Sequence, residues 1–191
     1  VTRTAPVGVP SGVPGGVAGG VPVAPHQLLD ARDRRVARRR ALQAAHPGPG
    51  VTVVAVTLVV PGPVKTSPTL EAVRDDGVRG VIRVCALHRW RVLARAAEDA
   101  PSGPEALLAV AARAGELKQA LVHLEDHHPI GRLWDLDVFA GNAPLGRADL
   151  GLGPRRCLVC EQPAHACARS RAHPLDQLTT AVEVLGARRQ P

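Results

Sequence analysis

The chain has 191 residues, 45% of them hydrophobic and 2% aromatic, with no Tyr and a single Phe. That length suits one domain of ordinary size, with a core built from Val, Leu and Ala. The formal charge of +7 favours an anionic partner, and the shortage of aromatics argues against single-strand nucleic-acid binding, which relies on base stacking.

No run of about 18 apolar residues exists, which excludes a membrane-spanning helix, and the start lacks the cationic and apolar blocks of a secretory signal. Four cysteines are too few for a disulfide framework. Their spacing reads as reduced thiols, so a cytoplasmic protein is expected. Lysine occurs only at Lys65 and Lys118 while Arg is abundant, which makes Lys65 conspicuous.

In chain order, residues 1–25 are a loose Gly-Val-Pro repetition with almost no charge, expected to be a disordered lead-in. Residues 26–191 are then the domain. Gln27 to His46 reads as a basic amphipathic helix ended by His46-Pro47-Gly48-Pro49-Gly50. Val51 to Val60 is an almost unbroken β-branched run, the pattern of a strand buried on both faces. Pro61-Gly62-Pro63 breaks it, and a loop leads into a helix from Thr69 to about Leu87, interrupted by Gly77 and Gly80.

Trp90 to Ala97 alternates as a strand, and Glu105 to Ala112, after the turn at Ser102-Gly103-Pro104, fits either a strand or a short helix. A helix is predicted over Gly115 to His127 and a strand over Leu133 to Ala140, with Ala143 to Arg147 returning as a hairpin. Gly151 to His173 has little regular period, and Leu175 to Leu185 closes the chain as a helix. Alternating strands and helices imply an α/β or α+β fold.

Five features carry chemistry. Asp135 and Asp137 lie two apart on a strand, so their carboxylates share a face. Adjacent carboxylates repel unless a cation lies between them, and such oxygens suit Mg²⁺ bridging substrate phosphates. A solvated edge strand is the plain alternative. Pro61 to Ser67 follows a buried strand and offers backbone N–H groups, hydroxyls and the Lys65 ammonium to a phosphate chain, without P-loop spacing.

Cys157, Cys160, Cys167 and His173 supply three thiolates and an imidazole, the donor set of a tetrahedral zinc site in segment 154–173. Packed reduced cysteines are the alternative there. Arg32, Arg35 and their neighbours crowd the first helix, and Arg155 and Arg156 precede the Cys segment. Such density suits bidentate phosphate recognition as well as a solvated face. His128 sits just before the Asp strand, where it is a candidate proton-transfer group.

Two long blocks are distinctive: Glu125-Asp-His-His-Pro-Ile-Gly-Arg-Leu-Trp-Asp-Leu-Asp-Val138, and Pro154-Arg-Arg-Cys-Leu-Val-Cys-Glu-Gln-Pro-Ala-His-Ala-Cys-Ala-Arg-Ser-Arg-Ala-His173. With Pro61-Gly-Pro-Val-Lys65 and Arg32-Asp-Arg-Arg35, they resemble the CitX family, the apo-citrate lyase phosphoribosyl-dephospho-CoA transferases, from about Leu28 to Leu178. Arg34 stands where that family usually has Glu.

The resemblance implies transfer of phosphoribosyl-dephospho-CoA from 2′-(5″-triphosphoribosyl)-3′-dephospho-CoA to a Ser of the citrate lyase acyl carrier protein (the γ subunit), with loss of pyrophosphate. That chemistry, with the strand-borne Asp pair, leads us to expect a nucleotidyltransferase-like core with a Cys-rich C-terminal extension, and Mg²⁺ at Asp135 and Asp137. Lys65 and Arg132 are then expected on the triphosphate tail, Glu105 as a third carboxylate and His128 as proton acceptor or orienting group. The +7 charge suits both a polyanionic donor and an acidic carrier protein. Three rival readings are a malonate decarboxylase carrier as acceptor, a zinc-stapled nucleic-acid-binding module, and a non-catalytic carrier adaptor.

Overall fold

The computed structural model describes residues 22–189, so most of the expected lead-in lies outside the described residues. Pro22 forms a bridge with Val64, and Val23 N–H donates to the Pro63 carbonyl at 2.9 Å. Helix α1 (Pro25–Ala45) opens on a proline and ends at His46, ahead of the Pro-Gly segment. Strand β1 (Val51–Leu58) follows and stops short of the Pro61 break. Helix α2 (Pro68–Leu87) begins with Ser67 accepting from the Leu70 N–H and with a proline in its first turn, both good helix starts.

Strands β2 (Arg91–Ala100) and β3 (Gly103–Ala111) form a hairpin, which settles 105–112 as a strand. Helix α3 (Ala114–His127) and strand β4 (Trp134–Phe139) complete the core, and α4 (Ala164–Ser170) and α5 (Leu175–Ala187) follow. The sequence pattern missed α4, a seven-residue helix inside the Cys-rich segment. The expected return strand at Ala143 to Arg147 reduces to one bridge, Leu145 with Val138.

The sheet order is β2-β3-β1-β4, every pair antiparallel. With the β-α-β-β-α-β chain order this is the split βαβ arrangement, an α+β fold. One sheet face carries Val54, Val56, Leu108, Val110, Leu136 and Val138 and packs with residues of α2, α3 and α5 into the main core. Trp134, the largest fully buried side chain, donates from its indole N–H to the Val73 carbonyl at 2.9 Å. Gly77 is what lets α2 lie this close, since a Cβ there would meet the Trp134 indole and Val56 at 3.1 Å.

The other sheet face has a smaller core of Val53, Ala55 and Leu107, covered by Leu42 and Phe139. Helix α1 lies on this side, which accounts for its polarity: it meets the sheet largely through arginines. Arg39, 4% exposed, donates to the Gly141 and Asn142 carbonyls and stacks over the Phe139 ring at 4.4 Å. No helix among the described residues is long and apolar enough to cross a membrane.

Candidate active site

The β1–β4 register places Thr57 opposite Asp135 and Ala55 opposite Asp137. Val56 pairs with Ala106 and Glu98 with Glu105. Alternation therefore puts Glu98, Glu105, Thr57, Asp135 and Asp137 on the α1 side of the sheet. This is a polar strip on a face whose neighbouring positions, Val53, Ala55 and Leu107, are apolar. It ends at β4, an edge strand of the sheet.

Asp135 and Asp137 are both partly exposed. Burial raises the pKa of Asp137, with the Asp135 charge adding to the rise and Lys118 and Arg155 opposing it. Arg155 Nη1 donates to Asp135 Oδ1 at 3.0 Å, while Nη2 donates to the Arg132 and Trp134 carbonyls. One guanidinium thus neutralises part of the pair and grips the strand that carries it. Two same-face carboxylates, both partly exposed and the Asp137 one raised by burial, have the oxygen chemistry that Mg²⁺ takes.

The outer edge of β4 is closed by residues the sequence reading did not single out. Leu136 N–H donates to Glu125 Oε1 at 2.8 Å, and the Leu136 carbonyl accepts from Lys118 Nζ at 2.8 Å. Glu125 also accepts from Arg147 at 2.5 Å, and all three charged side chains are largely buried. The residue between the two aspartates is therefore held at both of its polar atoms by α3. The only lysine besides Lys65 was a usable sequence signal; its partner on β4 was not.

Glu105 shares the face but is occupied. It is 3% exposed and accepts from Arg35 Nε at 2.5 Å and Arg38 Nη1 at 2.9 Å. With β1 intervening, it stands about 10 Å from Asp135 along the sheet, so its structural surroundings are those of an anchor for α1. Arg35 is accordingly paired, whereas Arg32 is exposed. Lys65 Nζ donates to the Val60 carbonyl just past β1, and burial lowers its pKa.

Arg132 and Arg156 share Glu161, at 2.5 and 2.8 Å. They line a hollow of about 680 Å³ together with His128, apart from the carboxylate pair. His128 itself packs at a tilt against the Trp134 ring, centroids 4.4 Å apart, on the main-core side of the sheet, with its pKa lowered by burial. The structure does not bring His128 to the aspartates.

The Cys segment folds as a knuckle. Cys157 N–H donates to the Gln162 carbonyl at 2.8 Å, Arg156 bridges Pro163, and α4 carries Cys167 back. The donor atoms of Cys157, Cys160, Cys167 and His173 all lie within 4.8 Å of one another. Cys160 Sγ is 3.5 Å from Cys167 Sγ and 3.3 Å from His173 Nε2. Tetrahedral zinc bound at about 2.3 Å by sulfur holds its ligands about 3.8 Å apart, so the cluster fits a metal such as zinc. Among the metal-free thiols, burial and the hydrogen-bonded Cys160 and Cys157 push Cys167 up to about 11.

A family model described as apo-citrate lyase phosphoribosyl-dephospho-CoA transferase matches residues 23–187, a span holding every site residue above. The chain belongs to this family. Proteins with that name from Escherichia coli O7:K1 (strain IAI39 / ExPEC) and Escherichia coli O6:K15:H31 (strain 536 / UPEC) are 42% identical to it over 160 residues, as is that from Shigella boydii serotype 18 (strain CDC 3083-94 / BS512). Each match covers 83% of this chain and 86% of the relative. The transferase family match includes the N-terminal basic helix and the Cys/His knuckle as well as the sheet.

Proposed function

We propose that this protein attaches phosphoribosyl-dephospho-CoA to a Ser of the apo-citrate lyase acyl carrier protein, taking it from 2′-(5″-triphosphoribosyl)-3′-dephospho-CoA. The observation that carries the reading is the partly exposed Asp135–Asp137 pair on β4, in a chain of the transferase family. The Ser oxygen attacks the innermost phosphorus of the triphosphate. A phosphodiester forms, the bond to pyrophosphate breaks, and the hydroxyl proton is released. This is nucleotidyltransferase-like chemistry on a split βαβ sheet.

Asp135 and Asp137 are the residues that would hold Mg²⁺, which supplies charge neutralisation at the phosphoryl oxygens. Arg155 orients Asp135 and offsets negative charge where a polyanion must approach. Lys118 and Glu125 keep the intervening residue fixed, so both carboxylates point to one side. Lys65, in the loop that follows the neighbouring strand, and Arg132, which donates to the Cys157 carbonyl, are the cations assigned to the triphosphate tail. Exposed Arg32 and the rest of α1 offer a basic surface to the carrier protein. Zn²⁺ in the Cys/His knuckle is the structural metal of this reading, since Arg155 and Arg156 directly precede its first ligand. A cytoplasmic setting suits the reduced thiols.

The test is the intact mass of apo carrier protein after incubation with this chain, Mg²⁺ and the triphosphoribosyl donor. The expected result is a gain of one phosphoribosyl-dephospho-CoA with release of pyrophosphate, abolished by Asp135→Ala. A gain unaffected by Asp135→Ala removes the carboxylate pair from the reaction. No gain with a folded protein and competent carrier refutes the reading.

A further inference from the structure

We infer that the hollow between the end of β1 and the Cys/His knuckle is the binding site for the dephospho-CoA portion of the donor, with Arg171 receiving its diphosphate. The inference rests on the transfer reading above and adds where the transferred group sits. The hollow measures about 740 Å³ and has Asp135 in its wall, within the range of about 300–1,000 Å³ usual for small-molecule sites. Its walls are mainly apolar: Leu58 and Val60 from the end of β1, Leu158 from the knuckle, and Leu175 and Leu178 from α5.

Three observations select the occupant. First, the ester substituent on the reacting phosphorus stays attached when pyrophosphate leaves. With that phosphorus at Asp135 and Asp137, the retained group starts beside Asp135 and needs space there. The hollow of about 680 Å³ around His128 contains neither aspartate. Second, aliphatic walls suit a purine face and a pantetheine arm and do not suit a polyphosphate, so the tail and the transferred group are sorted to different places.

Third, Arg171 lines the hollow in an unusual conformation. It caps α4 with φ 49° and ψ 42°, a left-handed position that Gly or Asn fills far more readily. Its side chain is exposed, and among the described residues it forms no ion pair. A guanidinium at this left-handed cap, over a cavity lined by no other Arg or Lys, is suited to a diphosphate by bidentate bonds.

The experiment is calorimetric titration of the full-length, metal-loaded protein with dephospho-CoA and, separately, with inorganic triphosphate. Ala168→Trp places an indole in the hollow from the exposed side of α4, and Arg171→Gly removes the guanidinium while suiting the left-handed cap. Wild type is expected to bind both probes. Each variant is expected to weaken dephospho-CoA about tenfold or more while inorganic triphosphate stays within about twofold. Arg171→Gly, whose backbone prefers the observed φ, keeps the test decisive should Ala168→Trp fail to fold.

Dephospho-CoA binding within about twofold of wild type in Arg171→Gly and in folded Ala168→Trp overturns the inference, as does a wild-type protein that does not bind dephospho-CoA. Loss of apo carrier binding with dephospho-CoA binding intact assigns the hollow to the carrier and overturns it too. The two readings fail separately. Dephospho-CoA binding lost in the variants, with no mass gain on carrier in wild type, sinks the transfer reaction alone. Mass gain with an unchanged donor KM in Ala168→Trp sinks only the hollow.

Discussion

Removing Glu125 should disorder the strand that carries both aspartates, because no water-exposed group replaces what it does. Its carboxylate is 4% exposed and takes the Leu136 N–H at 2.8 Å and the Arg147 guanidinium at 2.5 Å. Glu125→Ala leaves a buried guanidinium with its second partner Asp126 only, and an amide on an edge strand with none. Breaking a buried ion pair of this kind costs about 3–5 kcal/mol.

Glu125→Gln preserves an acceptor for Leu136 and exchanges a charge-assisted bond for a neutral one, for which about 1–2 kcal/mol is expected. In a domain of this size each kcal/mol lowers Tm by roughly 2–4 °C, so the two variants should separate clearly in a thermal melt. The diagnostic assay is amide exchange at Leu136, whose N–H faces away from β1 and is protected only by Glu125. Exchange should rise steeply in Glu125→Ala and modestly in Glu125→Gln, with kcat falling more than the donor KM rises. A Leu136 amide as protected in Glu125→Ala as in wild type, or a loss below about 1 kcal/mol, would refute the assignment of Glu125 as the lock on this edge.

Asp137→Asn should abolish transfer yet raise stability at neutral pH by about 1 kcal/mol, as substitutions at charge-strained functional sites do. The sign follows from its raised pKa. The folded state holds this proton to higher pH than the unfolded chain, so stability falls as pH rises from the unfolded carboxyl value, about 3.9, through the raised folded one. The advantage of the Asn variant should therefore vanish as pH is lowered through that window, which paired melts against pH will reveal.

Zinc should be present at one equivalent, lost in Cys160→Ser, and its removal by a chelator should lower Tm and release Arg155 from Asp135. Elemental analysis showing no zinc in freshly purified protein would reject that site. Gly131→Ala should cost about 3 kcal/mol or more, because its Cβ would lie 2.2 Å from the Glu125 carbonyl oxygen, a backbone atom that cannot swing away. A melt within about 2 °C of wild type would show that the turn yields.

Much of this protein was legible in the chain because the signals are local. Val51 to Leu58 is β-branched and buried on both faces, so it reads as the central strand it is. Asp135 and Asp137 share a face because a strand repeats every two residues, whatever it pairs with. The four Cys/His donors were legible as one candidate set, and the fold brings their donor atoms within 4.8 Å of one another. The uncertain stretch at 105–112 became a strand through pairing on both sides with β1 and β2, which no local pattern encodes.

What tertiary structure alone decided is who stands beside whom. Glu105 and the aspartates fall on one face, yet an intervening strand and two arginines of α1 separate the glutamate from them. His128, seven residues before Asp135, turns onto Trp134 across the sheet, since the apolar ring it packs against is buried in the main core. Lys118, Glu125 and Arg155 reach β4 from α3 and the knuckle because an edge strand has unpaired polar atoms that must be satisfied. Residue types and periodicity determine which groups are available and which way each strand turns them. Long-range pairing and the closing of a free edge determine which of those groups meet.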